Sequence, residues 1–214
     1  MKKQIVIISL ISTCACVQAQ NLFVSDYGSD NIIEFTPSGV QSTFASGLSY
    51  PQGLAFNSAG NLFEADGGSG NIYEFTTGGA RSIFASGLNN PVGLAFNSAG
   101  NLFVANYADG NIIEFTPSGA QSTFASGLSL PYGLAFNSAG DLFDTDDGFS
   151  GIPSYIYEFT PDGVESTFAS GFDYITGLAF QPVPEPSALG LLAVGVTALL
   201  VHRRRCATAT LRQR

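Results

Sequence analysis

The stretch NLFVSDYGSDNIIEFTPSGVQSTFASGLSYPQGLAFNSAG occupies Asn21–Gly60, and Asn101–Gly140 repeats it with eight changes in forty positions. Two further copies begin at Asn61 and Asp141, so residues 21–181 carry a 40-residue period. The fourth copy holds four extra residues within Gly148–Ser154. Each copy contains short runs with strand composition, divided by turn residues. In the first copy the runs are Asn21–Ser25, Asn31–Phe35, Gln41–Ala45 and Gly53–Phe56. Tyr27–Asp30, Pro37–Gly39, Gly47–Pro51 and Asn57–Gly60 separate them. Pro and Gly recur too often for any helix beyond about two turns.

The phenylalanines follow the same period. Sixteen of eighteen fall in four columns, one per run: Phe23/63/103/143, Phe35/75/115/159, Phe44/84/124/168 and Phe56/96/136/180. Phe149 and Phe172 stand outside the columns. A four-stranded unit with one large apolar group per strand cannot cover both faces by itself, but stacking on a neighbour buries them. The columns are therefore read as core. Four-stranded units of this length arranged radially make a β-propeller. The expected fold is all-β, a propeller of four blades of about 40 residues, each four-stranded.

The phase of the repeat bears on closure. The chain enters on a second strand at Asn21 and leaves on an innermost strand, Gly177–Phe180. Pairing these ends would complete a four-bladed ring and remove exposed strand edges. An open arc, or two chains sharing an eight-bladed ring, are the alternatives.

The run from Asn90-Pro91-Val92-Gly93-Leu94-Ala95-Phe96 through Gly100-Asn101-Leu102-Phe103-Val104-Ala105-Asn106 to Asn111-Ile112-Ile113-Glu114-Phe115 resembles the NHL-type repeat. The resemblance covers about residues 21–181 and extends to the propellers of the gluconolactonase and regucalcin group. It implies a propeller, usually of about six blades, and it raises a metal-dependent, lactonase-like hydrolase or lyase as one function.

The two ends of the chain read as addresses. Residues 1–19 have the form of a secretory signal peptide: Lys2 and Lys3, an apolar run Ile5–Ile11, and Val17-Gln18-Ala19 before the cleavage point. Near the other end, Pro184-Glu185-Pro186 precedes an apolar run Ala188–Val201, which is followed by Arg203, Arg204 and Arg205. The run is short for a membrane helix, but flanking arginines extend it and hold their end in the cytoplasm. This order of parts resembles the PEP-CTERM sorting signal, which implies an exosortase-type membrane protease as partner. The expected division is signal peptide 1–19, propeller 20–181, sorting signal 182–205 with a transmembrane helix at 187–202, and a cytoplasmic tail 206–214. The implied route is export across the inner membrane, a transient or permanent membrane anchor, and then the cell surface or extracellular matrix.

Composition narrows the chemistry. The net charge is −9, and between Gln20 and Gln181 sixteen acidic residues face Arg81 alone. A nucleic-acid surface needs clustered Lys and Arg, so DNA and RNA are excluded as partners. The one histidine, His202, lies beyond the repeats, which removes Ser-His-Asp triads, Cys-His dyads and histidine metal sites from them. Cys14, Cys16 and Cys206 also lie outside, so no disulfide staples the repeats.

Carboxylates and amides remain. One column reads Asp26, Asp66, Asn106, Asp146, at the end of the second strand, where an Asx side chain caps a turn. The column two residues earlier reads Val24, Glu64, Val104, Asp144. Its acids are either oxygen ligands, which would suit Ca2+, or drift at a solvent-facing position. Glu64, Asp66, Asp144 and Asp146 are thus the metal candidates, and no catalytic residue is assigned. Copy-to-copy variation concentrates in two loops that a propeller opens on one face. They supply Tyr27, Tyr50, Gln52, Asn89, Asn90, Tyr107, Tyr132, Asp173 and Tyr174. Aromatic and amide groups rimmed by acids suit a carbohydrate, a peptide, a cell-surface polymer or a cation, and unconstrained loop drift is the alternative that gives the same pattern. Near-identical blades favour a non-enzymatic binding or scaffold propeller over the lactonase-like alternative.

Overall fold

The computed structural model of the chain describes residues 20–148 and 153–181. The signal peptide, the tip of the Gly148–Ser154 loop, the sorting motif with its expected helix at 187–202, and the tail lie outside the described residues. Among the described residues no helix is long and apolar enough to cross a membrane.

The architecture is all-β and radial. Blade 1 contains β1 (Leu22–Asp26), β2 (Asn31–Phe35) and β3 (Gln41–Ala45). Blade 2 contains β4 (Pro51–Phe56), β5 (Leu62–Asp66), β6 (Asn71–Phe75) and β7 (Arg81–Ala85). Blade 3 contains β8 (Pro91–Phe96), β9 (Leu102–Asn106), β10 (Asn111–Phe115) and β11 (Gln121–Ser126). Blade 4 contains β12 (Pro131–Phe136), β13 (Leu142–Asp146), β14 (Ser154–Phe159) and β15 (Glu165–Phe172). Every strand pairs antiparallel with its chain neighbour in the same blade. The pairs β2–β3, β6–β7 and β10–β11 shift register at the same repeat position, after Ile32, Ile72 and Ile112.

Blades stack through apolar layers. Phe23 and Phe44 of blade 1 pack against Ile32, Leu48, Leu62 and Phe75. The layer between blades 2 and 3 holds Phe63, Ala65, Ile72, Leu102, Val104 and Phe115. Between blades 3 and 4 lie Phe103, Ala105, Ile112, Leu142 and Phe159. The phenylalanine columns form edge-to-face ladders. Phe63 meets Phe84 at 5.1 Å and Phe96 at 5.0 Å, and Phe103 meets Phe124 at 4.9 Å and Phe136 at 5.0 Å. Such pairs add about 0.5–1.5 kcal/mol each beyond the area they bury. The expectation that these columns are core holds for Phe63, Phe75, Phe103, Phe115, Phe143 and Phe159, which are buried, whereas Phe56, Phe168 and Phe180 of the same columns are exposed.

Closure is the point of difference. The first sheet has three strands, β1 pairs with β2 only, and residues 177–180 form no strand. The expected pairing of the chain's two ends is therefore not made, and the four blades form an open arc. Yet the terminal segment sits where a fourth inner strand, after β4, β8 and β12, would. Phe180 packs on Phe143 at 4.9 Å, as Phe136 packs on Phe103.

Inner strands approach closely, which explains the Gly of each Pro-x-Gly. A Cβ on Gly53 would lie 2.2 Å from the Val92 carbonyl oxygen, and one on Gly93 would lie 2.0 Å from that of Tyr132. Only glycine lets these backbones meet.

Candidate functional site

The inner strands surround a cavity of about 380 Å3. Ser25, Gln52, Leu54, Tyr132, Leu134 and Thr176 contribute to its wall, together with the inner-strand glycines. Ser25 Oγ donates to the Gln52 carbonyl at 2.5 Å. Tyr132 Oη donates to Gln52 Oε1 at 3.4 Å. Ser25, Leu54 and Thr176 were not among the residues singled out from sequence, because small and aliphatic side chains carry no chemical signal of their own.

Tyrosines gather on one face. Tyr27 and Tyr50 stack with ring centroids 4.8 Å apart and planes at 24°. Tyr107 meets Tyr132 edge-on at 6.0 Å. Burial raises the Tyr132 hydroxyl pKa above its ordinary value, and Tyr174 and Tyr27 add to the shift. Tyr107 is raised likewise, first by burial, then by Asp147, Tyr174 and Tyr132. Tyr27 and Tyr174 are thus within electrostatic reach of Tyr132, and Tyr174 of Tyr107. Tyr27, Tyr50 and Tyr174 are exposed, whereas Tyr107 and Tyr132 are half-buried. Tyr50, Asn90 and Tyr174 also hold left-handed φ angles of 54°, 54° and 55° at corresponding repeat positions. Non-glycine residues adopt that conformation at a cost, and such positions concentrate in functional loops.

The other candidates have structural partners. Asn89 Nδ2 donates to Asp109 Oδ1 at 2.8 Å, and the Asn90 carbonyl accepts from the Tyr107 amide at 3.3 Å. Asp173 is exposed beside Tyr174. The Asx column pins the loop before each inner strand. Asp66 Oδ2 accepts from the Ser49 amide at 2.7 Å, Asn106 Oδ1 from Asn89 at 2.7 Å, and Asp146 Oδ2 from Ser129 at 2.8 Å. Asp26 instead accepts from the Gly28 and Ser29 amides of its own turn. Burial raises the Asp146 carboxyl pKa, against the opposing pull of the Ser129 and Leu130 amides.

Glu64 and Asp144 differ from every other acid. Both are fully buried, and none of their four carboxyl oxygens has a hydrogen-bond partner. The view of this column as solvent-facing drift is corrected here. Alternation along β5 puts Glu64 on the face of Leu62, toward blade 1, and alternation along β13 puts Asp144 on the face of Leu142, toward blade 3. They lie in separate layers. Burial, with Asp66 adding repulsion, pushes Glu64 up to about 8. Burial and Asp146 push Asp144 well above the usual carboxylate range. An uncharged carboxyl is the state such surroundings favour. Among the described residues no three His, Cys, Asp or Glu side chains gather to hold a metal ion. Glu64 lies with Asp66, and Asp144 with Asp146, as two separate pairs of carboxyl groups.

Residues 182–205 match the PEP-CTERM protein-sorting motif. No curated protein matches the chain. Among solved structures, the chain is similar to virginiamycin B lyase from Staphylococcus aureus. The TM-score is 0.61 at 14% identity, over 71% of this chain and 52% of that one. A nidogen/laminin complex matches with TM-score 0.66 at 22% identity, over 75% and 64%. A gluconolactonase from Xanthomonas campestris matches with TM-score 0.66 at 18% identity, over 74% and 62%. The chain thus spans about half to just under two-thirds of these proteins' length, and the likeness establishes the fold. A PEP-CTERM motif implies an exported protein that an exosortase recognises and processes for the cell surface. The chain therefore joins a propeller-type repeat fold, similar to those of gluconolactonase and NHL proteins, to a PEP-CTERM sorting motif.

Proposed function

We propose that the chain is a surface-exported binding or scaffold propeller whose tyrosine face takes a carbohydrate of the cell surface or matrix. The observation that carries this reading is the grouping of Tyr27, Tyr107 and Tyr174 around Tyr132, which lines the cavity, with Tyr50 stacked on Tyr27. Flat tyrosine rings pack against sugar rings at low entropic cost, and their hydroxyls and the Gln52 amide can bond to sugar hydroxyls. A glycan array probed with the full chain tests it, alongside Tyr132→Ala and Tyr174→Ala. A saccharide signal lost in both variants is expected. Absence of any saccharide signal, or binding indifferent to both changes, would reject the reading.

In this proposal residues 1–19 direct export, the 187–202 helix holds the protein briefly, and the protease cuts near Pro184-Glu185-Pro186. Mass spectrometry of protein from the native host should find a mature terminus near Pro186. An intact Arg214 in most molecules would leave a permanent anchor instead.

The likeness to gluconolactonase gives a second reading, a metal-dependent hydrolase or lyase. The separation of Glu64 from Asp144 argues against it. Metal analysis of the purified protein separates the two readings, since a stoichiometric, tightly held divalent ion would favour the enzyme.

A further inference from the structure

The two ends of the arc are complementary halves of one blade-to-blade joint. Each internal joint has two parts. An inner strand pairs with the second strand of its own blade while resting on the preceding blade, and a phenylalanine of the preceding blade meets one of the next. The inner-strand register repeats: Leu54, Ala55 and Phe56 face Glu64, Phe63 and Leu62, and Leu94, Ala95 and Phe96 face Val104, Phe103 and Leu102. The aromatic contacts repeat as well, with Phe44–Phe75 at 5.4 Å, Phe84–Phe115 at 5.8 Å and Phe124–Phe159 at 5.8 Å.

At the ends each part lacks its counterpart. Gly177-Leu178-Ala179-Phe180 has the sequence of Gly53–Phe56, Gly93–Phe96 and Gly133–Phe136. It is already seated: a Cβ on Gly133 would lie 2.7 Å from the Thr176 carbonyl oxygen, and Phe180 rests on Phe143. It has no second strand to pair with, and nothing lies within 4 Å of a Cβ on Gly177. Phe168 is 62% exposed, with no phenylalanine of a following blade against it. At the other end, Leu22 is 61% and Val24 40% exposed, although Leu62, Leu102, Leu142 and Val104 at the same positions are buried. Val24, Ile33 and Phe35 line an open concavity of about 360 Å3.

We propose that this surface binds a second copy of the same chain, head to tail. Gly177–Phe180 of one copy becomes the inner strand of the other's blade 1, and Phe168 of the first meets Phe35 of the second. The occupant follows from the repeat: the missing strand is a sequence the chain itself carries, and the missing aromatic partner is its own Phe35 column. The chain's own ends share the central cavity, through Ser25 and Thr176, yet do not pair. A second copy offers the same joint from the same residues. Two such joints make a two-fold ring in which no strand edge remains open.

The internal register places Phe180 opposite Leu22 of the other copy. The test uses the full chain with Cys14, Cys16 and Cys206 changed to serine, carrying Leu22→Cys and Phe180→Cys. Mild oxidation should yield an interchain disulfide on a non-reducing gel, and light scattering should report twice the chain mass. A disulfide within one chain would show that the ring closes on itself, and no disulfide with a monomeric mass would show that the edge stays free. Either result overturns the proposal. Val24→Arg, at a position exposed in the single chain, should return the protein to monomer with an unchanged circular dichroism spectrum. A dimer indifferent to this change would place the contact elsewhere and overturn the proposal too.

Discussion

Phe143 of β13 packs edge-on against Phe180, beyond the last strand, with ring centroids 4.9 Å apart and planes at 70°. The geometry matches that of Phe63 with Phe96 and Phe103 with Phe136 inside the arc. The end of the repeat region is therefore part of the fold even though it forms no strand. Deleting Gly177–Gln181 should lower stability by about 1–3 kcal/mol, because it uncovers buried Phe143. Thermal melting of the truncated chain checks this, and an unchanged midpoint would mean that the segment contributes nothing.

Phe103 is buried between two aromatic partners, whereas Phe172 lies outside the columns and is partly exposed. Phe103→Ala should cost about 3–5 kcal/mol, the usual loss for emptying a buried aromatic site. Phe172→Ala should cost well under half of that. Urea titrations of both variants provide the comparison, and equal losses would contradict the assignment of the core.

Gly93→Ala should be severely destabilising. The added methyl would lie 2.0 Å from the Tyr132 carbonyl oxygen, a backbone atom that cannot swing aside. Inner strands β8 and β12 must separate to admit it. Gly39→Ala makes a useful contrast, because its Cβ meets nothing within 4 Å and its cost comes only from a φ of 82°. The melting temperature of Gly93→Ala should fall well below that of Gly39→Ala.

Glu64 links stability to pH. Its carboxyl is raised from 4.5 to about 8, so between these values the folded chain holds a proton that the unfolded chain has released. Stability must then fall as pH rises through that window and level off above it. Glu64→Val copies the residue that blades 1 and 3 carry at this position. It should stabilise the chain at pH 8 by about 1–3 kcal/mol, the usual cost of an unpartnered buried polar group. It should also flatten part of the pH slope, to which Asp144 and Asp146, both raised by burial, contribute as well. Denaturant midpoints at pH 5 and pH 8 test both statements, and a slope unchanged in the variant would exclude Glu64 as its source.

Asp66→Ala should loosen the loop before β4, since its carboxylate accepts from both Ser49 and Ser69 amides. Loss of such a cap costs about 0.5–2 kcal/mol. Faster amide exchange should appear at Ser49 and Ser69 while the strands of blade 3 keep their protection. Uniform loss of protection would point to a global role instead.

The strands, apart from the expected one at Gly177–Phe180, the turns and the phenylalanine periodicity were legible in the sequence. Each rests on local chemistry repeated four times: Asn and Gly where the chain reverses, and one Phe per strand with a fixed neighbour. Strand ends moved by only a residue or two, as with Leu22–Asp26 in place of Asn21–Ser25. The Asx column at Asp66, Asn106 and Asp146 was legible as capping, although its reach back to Ser49, Asn89 and Ser129 was not. That reach depends on how a loop folds over the next strand. The burial of Glu64 and Asp144 was hidden for a related reason. An acid on an alternating strand reads as solvent-facing, and only the stacking of a second blade shows that no water is there. Closure was hidden as well. Matching ends in the repeat say that a joint can form, but the rotation from blade to blade comes from side-chain packing in the layers. The sequence by itself therefore determined the repeating unit and its core, whose physics is local, while the tertiary structure decided which acids lose their water and that the arc stays open, because both depend on how whole blades meet.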